Sequence, residues 1–306
     1  MLDWDSLRYF LAVARTQRVS GAAQLLGVDH TTVARRIRAL EHALDILLFE
    51  KSRSAGFLMT KDGERLLAYA EQMESTVHTA REVLAGTGQA LSGHVRIGAT
   101  EGFGSYVLTP LAADFQRRYP HITLDILPVP RFVSLSKREA DLAITIERPQ
   151  RGPYVCSKLC DYALKLYGTR GYLDSHPAIG SVEDLRGHSF IGYVDELLYS
   201  ERLRYLEDVL PHSRVVLRST SVIAQYHAVL QGRSLAILPC FIAAQDDRLV
   251  PVLEEAITVQ RTFWMYCHED LRKLKRVTLL WDFLRKSVLR NAPLMAGRDG
   301  RMHHLA

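Results

Sequence analysis

Thr31, Arg35, Arg38 and His42 recur at spacings of four, three and four. At 100° per residue this puts them on one side of a helix, with His30 and Thr32 flanking them at its N-terminal end. All of these side chains can donate hydrogen bonds. An arginine forks onto a guanine edge or clamps a phosphate, and threonine hydroxyls reach bases or backbone, so the chemistry open to this face is the reading of a DNA groove. The opposite side carries Val33, Ile37, Leu40 and Leu44, an apolar stripe that seats the helix on a core. Ahead of it, Leu7, Phe10, Leu11 and Ala14 share one face of a first helix. Ser20 is placed to cap a second helix over Gly21 to Leu26, Gly27 breaks that helix, and Asp29 can cap the third. This order is a helix-turn-helix, whose second helix enters the major groove. The same charges would also suit a solvated helix face, and the capped turn favours the groove.

Further elements must hold that face in place. Leu47 to Phe49 and Phe57 to Met59 read as two short strands about a polar tip, a wing whose Lys51 and Arg53 would lie beside phosphates. Residues 61–91 read as one long helix begun by Thr60, with Asp62 and Glu64 favouring its N-terminal dipole. In it Leu66, Ala70, Met73, Val77, Ala80 and Leu84 alternate spacings of four and three, a heptad seam that wants a partner helix. An ordinary amphipathic helix packed on its own domain fits the same pattern. Gly86, Gly88, Ser92 and Gly93 then supply a hinge.

From residue 94 strands and helices alternate. The strands are expected at His94 to Ala99, Ile122 to Val129, Asp141 to Ile146, Ala163 to Tyr167, Phe190 to Tyr193, Val215 to Arg218, Leu235 to Leu238 and Thr262 to His268. The helices are expected at Ser105 to Tyr119, Val133 to Glu139, Tyr199 to Leu210, Val222 to Gln231 and Leu274 to Leu289. The pattern predicts an open, mostly parallel sheet in two α/β lobes with a cleft between them. Ligands of such sheets bind beyond the carboxyl ends of strands, which makes Thr100 with Phe103, Pro128 with Arg131, and Ser219 with Thr220 the expected liners. Turn or capping chemistry is the competing role for each. No G-x-S-x-G elbow, P-loop, H-E-x-x-H or dinucleotide fingerprint occurs, and the scattered His121, His176, His188, His212 and His227 lack metal-ligand spacing. No catalytic residue, metal site or cofactor is expected.

Composition bounds the reading. A chain of 306 residues with 47% hydrophobic and 24% charged content is in the globular range and long enough for two or three domains. The net charge of +5 comes from residues 261–306, which carry a surplus of six, so bulk charge alone is no evidence for nucleic acid. Cys156, Cys160, Cys240 and Cys267 are too few for a disulfide scaffold and are expected as buried thiols in a reducing compartment. The apolar run at Leu235 to Ala244 is too short for a membrane span, and Asp3 and Asp5 stand where a signal peptide would be basic, so a cytoplasmic location is expected.

The stretch VSGAAQLLGVDHTTVARRIRALEHALDILLF, Val19 to Phe49, continued by Thr60, Gly63 and Leu67, resembles the LysR-type transcriptional regulators. Phe115 with Tyr119 and Pro120, Glu139 to Ile144, and Gly232 to Pro239 resemble that family's effector domain. The resemblance covers nearly the whole chain. It implies an N-terminal winged helix-turn-helix over 1–60, a linker and dimerisation helix over 61–91, and a two-lobed α/β effector-binding domain over 92–306 resembling periplasmic binding proteins. Lobe I would span about 94–161 and 265–292 and lobe II about 162–264.

By this resemblance His30, Thr31, Ala34, Arg35 and Arg38 sit where the family contacts DNA, with Thr32 flanking them on the helix, and Lys51 and Arg53 match its wing. Asp29, His30 and Thr31 replace the common Ser, Gln and Pro, Ala34 a frequent Ser, Lys51 a usual Arg, and Asp45 a usual Gly. Thr100 and the segment Ser219 to Ser221 occupy ligand-contacting positions. Thr145 stands where many relatives place Arg, which weakens the expectation of an anionic effector. Cys156 and Cys160 do not reproduce the spacing of the family's peroxide sensors. The implied partners are promoter DNA, a small-molecule effector of unknown identity, a second copy or a dimer of dimers, and RNA polymerase for an activator. A solute-binding protein, or an enzyme with a fused DNA-binding head, is the alternative.

Overall fold

The computed structural model describes residues 3–52, 56–84, 92–129, 140–150 and 152–304. The chain divides between residues 89 and 90 into two compact units.

In the first unit α1 (Trp4–Thr16) starts at Asp3, whose carboxylate accepts from the Ser6 N–H at 2.6 Å. Its apolar spacing buries Leu7, Phe10, Leu11 and Ala14. Helix α2 (Val19–Leu26) begins two residues before the expected start, with Arg18 rather than Ser20 at its N-cap. The Thr16 hydroxyl, which bonds the Ala12 and Arg18 carbonyls, closes the turn early. Gly27 ends α2 at φ 66°, a left-handed position suited to glycine. Helix α3 (His30–Leu44) follows Asp29, whose backbone carbonyl accepts from Thr32 and Val33 while its carboxylate makes no cap bond. Val33, Ile37 and Leu40 are buried and Leu44 is half-buried.

Strands β1 (Phe49–Ser52) and β2 (Gly56–Met59) pair antiparallel, with Phe49 opposite Met59. Leu47 and Leu48 lie ahead of β1, where Glu41 Oε1 accepts from the Leu48 and Phe49 N–H groups at 2.8 and 3.2 Å. That carboxylate sets the entry to the wing, and Asp45 makes the preceding turn in a left-handed conformation at φ 54°. Helix α4 (Lys61–Leu84) is capped by Thr60, whose hydroxyl accepts from Gly63 N–H at 3.0 Å and donates to Leu47 O at 2.7 Å. Arg15 forks onto Glu74 at 3.1 and 2.5 Å and ties α1 to α4.

The second unit carries β3 (Gly93–Thr100), α5 (Glu101–Phe103), a π turn (Gly104–Leu108), α6 (Thr109–Arg118), β4 (Ile122–Val129), β5 (Leu142–Thr145), β6 (Tyr154–Thr169), α7 (Arg170–Asp174), β7 (Ser189–Gly192), α8 (Tyr205–Val209) and β8 (Arg214–Arg218). It continues with α9 (Val222–Val229), β9 (Leu235–Pro239), α10 (Cys240–Ala243), β10 (Leu249–Val252), β11 (Thr258–His268), α11 (Glu269–Arg272), α12 (Lys275–Arg290) and α13 (Ala292–Met295). Among the described residues the strands run β4-β3-β5-β11-β6-β9-β7-β8, with β10 on β6.

The sheet is mixed rather than mostly parallel. Two parallel sets, β4-β3-β5 and β9-β7-β8, form the two lobes, and the antiparallel ribbon of β6 and β11 joins them. The ribbon's register slips between Phe263 and Trp264, so one residue of β6 bulges where the chain passes from lobe to lobe. The predicted helix over 199–210 is instead a short turn at Glu201–Leu203 followed by α8, because the Ser200 hydroxyl caps the turn. The helix expected at Val133 to Glu139 lies outside the described residues.

The C-terminal segment packs on this unit. Buried Asn291 donates to His303 O and accepts from His303 N–H, and His304 pairs with buried Asp114. Met302 rests against the main core.

One buried group gives this unit a pH dependence. His188 is 2% exposed, with Nδ1 3.0 Å from the Tyr172 hydroxyl. Burial, reinforced by His176 and partly opposed by the Pro177 backbone and Asp184, pushes its imidazole below the usual 6.5. The folded state then binds fewer protons than the unfolded chain as pH drops below about 6.5. The stabilisation from this group is therefore present above that pH and lost as pH falls. The unfolding midpoint is expected to fall between about pH 7 and 5, and less steeply in His188→Gln. Equal slopes in thermal melts of the two proteins would count against it.

Candidate functional sites

The DNA-facing residues come together as their spacing requires. On α3, His30, Thr31, Arg35, Arg38 and His42 are exposed, Thr32 and Ala34 are half-buried, and the opposite stripe is in the core. Arg36, in the same run of arginines, is withdrawn from the face: it pairs with Asp5 at 3.0 Å and lies 5.5 Å from the Tyr9 ring centre. Arg35 and Arg38 form no ion pair among the described residues. Two neighbouring arginines thus have different jobs, one holding α3 against α1 and the other facing solvent. Lys51 lies in β1 opposite Phe57, and Arg53 falls outside the described residues.

The expected dimer seam divides. Ala70 is buried and Leu66 packs on the same cluster, the core of their own unit, so these two positions follow the ordinary amphipathic reading. Met73 is 47% exposed, and Tyr69, one turn earlier, is 68% exposed. Val77 is half-buried, and the side chains of Ala80 and Leu84 lie outside the described residues.

In the second unit a cleft of about 40 Å³ opens where the two lobes meet the ribbon. Thr100 and Phe103 line it from the end of β3 and α5, and Thr220 lines it from the approach to α9. Three expected liners do not. Pro128 is exposed and packs against Gly104, so close that a β-carbon on Gly104 would lie 2.6 Å from its ring. Buried Thr145 donates its hydroxyl to Glu147 O at 2.7 Å, and Ser219 Oγ accepts from Ser221 N–H at 3.1 Å. Both hydroxyls serve turns, the competing role. Arg131 lies outside the described residues.

Six aromatic residues that were not predicted also line it: Tyr162, Tyr193, Tyr199, Tyr205, Phe241 and Phe263. Tyr162 stacks on Phe263 at 4.2 Å, and Tyr193 meets Tyr205 edge to face at 6.0 Å. Burial pushes the phenols of all four tyrosines well above 10, so they remain neutral hydrogen-bonding groups. Glu101, also unforeseen, reaches the same cleft. The six-residue spacing of Tyr193, Tyr199 and Tyr205 was a visible signal, but it matches neither a helix nor a strand period.

Among the described residues no group of three His, Cys, Asp or Glu side chains could hold a metal, and no helix is long and apolar enough to cross a membrane. The cysteines are free thiols. Burial raises all four, Cys160 to about 12 and Cys267 to about 11, so they stay protonated at neutral pH.

The bacterial regulatory helix-turn-helix protein, lysR family, matches residues 4–64, and the LysR substrate binding domain matches residues 88–288. The chain is a LysR-type transcriptional regulator. The regulator is 29% identical to the HTH-type transcriptional regulator PtxR of Pseudomonas aeruginosa over 259 residues, 82% of each chain. Its fold is similar to that of a full-length OxyR variant from Pseudomonas aeruginosa, with a TM-score of 0.73 at 21% identity, covering 93% of the regulator and 95% of that chain. CrgA, a LysR-type transcriptional regulator from Neisseria meningitidis, superposes with a TM-score of 0.57 at 22% identity over 94% of the regulator and 99% of CrgA. The relatives are named as regulators, and the regulator is accordingly a DNA-binding, effector-responsive protein rather than an enzyme.

Proposed function

We propose that α3 reads the promoter through Arg35 and Arg38, with His30, Thr31, Thr32 and Ala34 near base edges and backbone and the wing residues Lys51 and Arg53 on phosphates. The observation that carries this reading is the exposed donor face of α3, opposite the buried Val33, Ile37 and Leu40 and cleared of Arg36. Two copies pair through the outer part of α4, where Tyr69 and Met73 stay exposed, and both heads engage an interrupted palindrome. A small molecule in the interlobe cleft, with no further cofactor, shifts the lobes and with them the spacing of the heads. The protein acts in the cytoplasm, and as an activator it would contact RNA polymerase.

The test is binding to the DNA flanking the regulator's own gene against unrelated DNA over a salt series, which separates specific from counterion-driven affinity. Arg35→Ala is expected to lose about 1–3 kcal/mol, or about 5- to 150-fold, on the flanking DNA alone, with specificity relaxed at one base position. Lys51→Ala is expected to weaken both DNAs alike. Equal losses on both DNAs from Arg35→Ala would reject base reading by that residue.

A further inference from the structure

The interlobe cleft has an unfilled hydrogen-bonding demand. Glu101 Oε1 accepts from the Ser221 hydroxyl at 2.9 Å, while Oε2 is sealed from solvent without a hydrogen-bond partner among the described residues. The Tyr205 hydroxyl, on a side chain 4% exposed, is sealed from solvent in the same way and faces the Tyr193 hydroxyl. A carboxylate accepts only, and leaving such an acceptor buried and unpaired carries the full desolvation cost. A donor entering the cleft would remove that cost.

The surrounding charge says which donor. Among the described residues no Lys, Arg or His lines the cleft. The cation whose field reaches Tyr162 and Tyr205 is Arg261, and its guanidinium already serves Arg202 O at 3.2 Å and Asp208 at 3.9 Å. A second carboxylate, Glu147, acts on Tyr199 and accepts from the Ser200 hydroxyl. An anionic ligand would meet the Glu101 carboxylate, with Glu147 beside Tyr199, and no lining cation among the described residues, whereas a cation would meet Glu101 and the faces of neutral aromatic rings, which attract positive charge. The volume of about 40 Å³ holds no more than a few small groups, which limits the ligand to a compact head on a short chain.

We propose that this cleft takes a small primary-ammonium compound whose charged head donates to Glu101 Oε2 and Tyr205 Oη and whose short apolar part lies against Tyr193 and Tyr199. The proposal rests on reading the cleft as the effector site and names the effector's chemistry. Glu101 begins α5 at the end of β3, and Ser221 caps α9, so their bond straps one lobe to the other. An ammonium head competes for the carboxylate that makes the strap, which couples ligand binding to the lobe contact.

The test is isothermal titration of the full-length protein with butylamine, butanol and butyrate, one chain length in three charge states at neutral pH. Butylamine is expected to bind saturably and at least about tenfold more tightly than the other two. Glu101→Gln is expected to lose about tenfold or more in amine affinity and Tyr205→Phe a few-fold, while Ser221→Ala, which frees Oε1, binds the amine more tightly. Circular dichroism checks that each variant is folded, and Ser221→Ala keeps the test decisive if Glu101→Gln is not. Butyrate or butanol binding as tightly as the amine, amine affinity indifferent to Glu101→Gln, or no amine binding at about 20 mM would each overturn the proposal. Binding to the flanking DNA is measured on the same preparation. Amine binding that leaves DNA affinity unchanged overturns the cleft as effector site and not its ligand class. Intact DNA binding without amine binding overturns the ligand class alone.

Discussion

Gly63→Ala is expected to destabilise the DNA-binding unit by about 2 kcal/mol, although alanine is the better helix former. A β-carbon at residue 63 would lie 2.2 Å from the Leu48 carbonyl oxygen, a backbone atom that no side-chain rotation can move. Overpacking of this kind costs about 1–3 kcal/mol and sometimes more, against about 1 kcal/mol regained in helix propensity. The clash should win because both partners are fixed. The Leu48 carbonyl also accepts from Thr60 N–H at 3.0 Å, and Thr60 in turn caps α4 through Gly63 N–H. Moving α4 away to admit the methyl group would break that junction. Calorimetry of the full-length protein should show the first unit melting about 10 °C earlier, with the second unit's transition unchanged. Gly27→Ala is the control: it has no atom within 4 Å of the added carbon, only a φ of 66°, and should cost about 1 kcal/mol from backbone strain alone. Equal effects at the two glycines would show that the junction of α4 with the wing is loose.

That junction was legible as a pattern, in Thr60 and Gly63 ahead of an apolar helix, but its reason was not, because the oxygen that forbids a side chain at 63 belongs to residue 48. The same division runs through the molecule. The donor face and core stripe of α3 could be read because helix period alone sorts Arg35 from Val33. The separate job of Arg36 could not, since its partner Asp5 lies on another helix. Strand β6 was read only over 163–167 of its sixteen residues. A bulge interrupts its alternation, and its Lys165 looks like a surface residue, but its side chain is buried and reaches the exposed Glu254, distant in sequence. The ties of the C-terminal segment, Asn291 to His303 and Asp114 to His304, are side-chain pairs without periodicity, so no sequence pattern announces them. The cleft shows the limit most clearly. The rule that ligands sit beyond strand ends located Thr100, Phe103 and Thr220, but it could not foresee that Thr145 and Ser219 spend their hydroxyls on turns. Nor could it gather Glu101, Tyr162 and Tyr205 from three separate parts of the chain.

Phe103→Ala is expected to have the largest effect in the second unit, a loss of about 3–5 kcal/mol. Phe103 is 1% exposed, with Phe263 at 4.6 Å and Phe241 at 6.2 Å between ring centres, so its removal leaves a void that these rings, themselves buried, cannot collapse to fill. In urea the midpoint of the second unit should fall while the slope stays constant, marking a change in stability rather than in the surface exposed. Phe103 was expected from the sequence as an effector contact, and the variant separates the two roles. If the ring is chiefly core, a small apolar molecule such as benzene should occupy the new void and raise the midpoint by mass action. The native protein, whose cleft holds about 40 Å³, should not respond. If the ring is chiefly a ligand contact, its removal should cost less than about 1 kcal/mol in the free protein and leave benzene without effect. The two outcomes differ in both sign and size. The first is favoured because Phe103 joins the end of β3 to the aromatic residues of the ribbon, so the wall that shapes the cleft is also the wall that holds the lobes together.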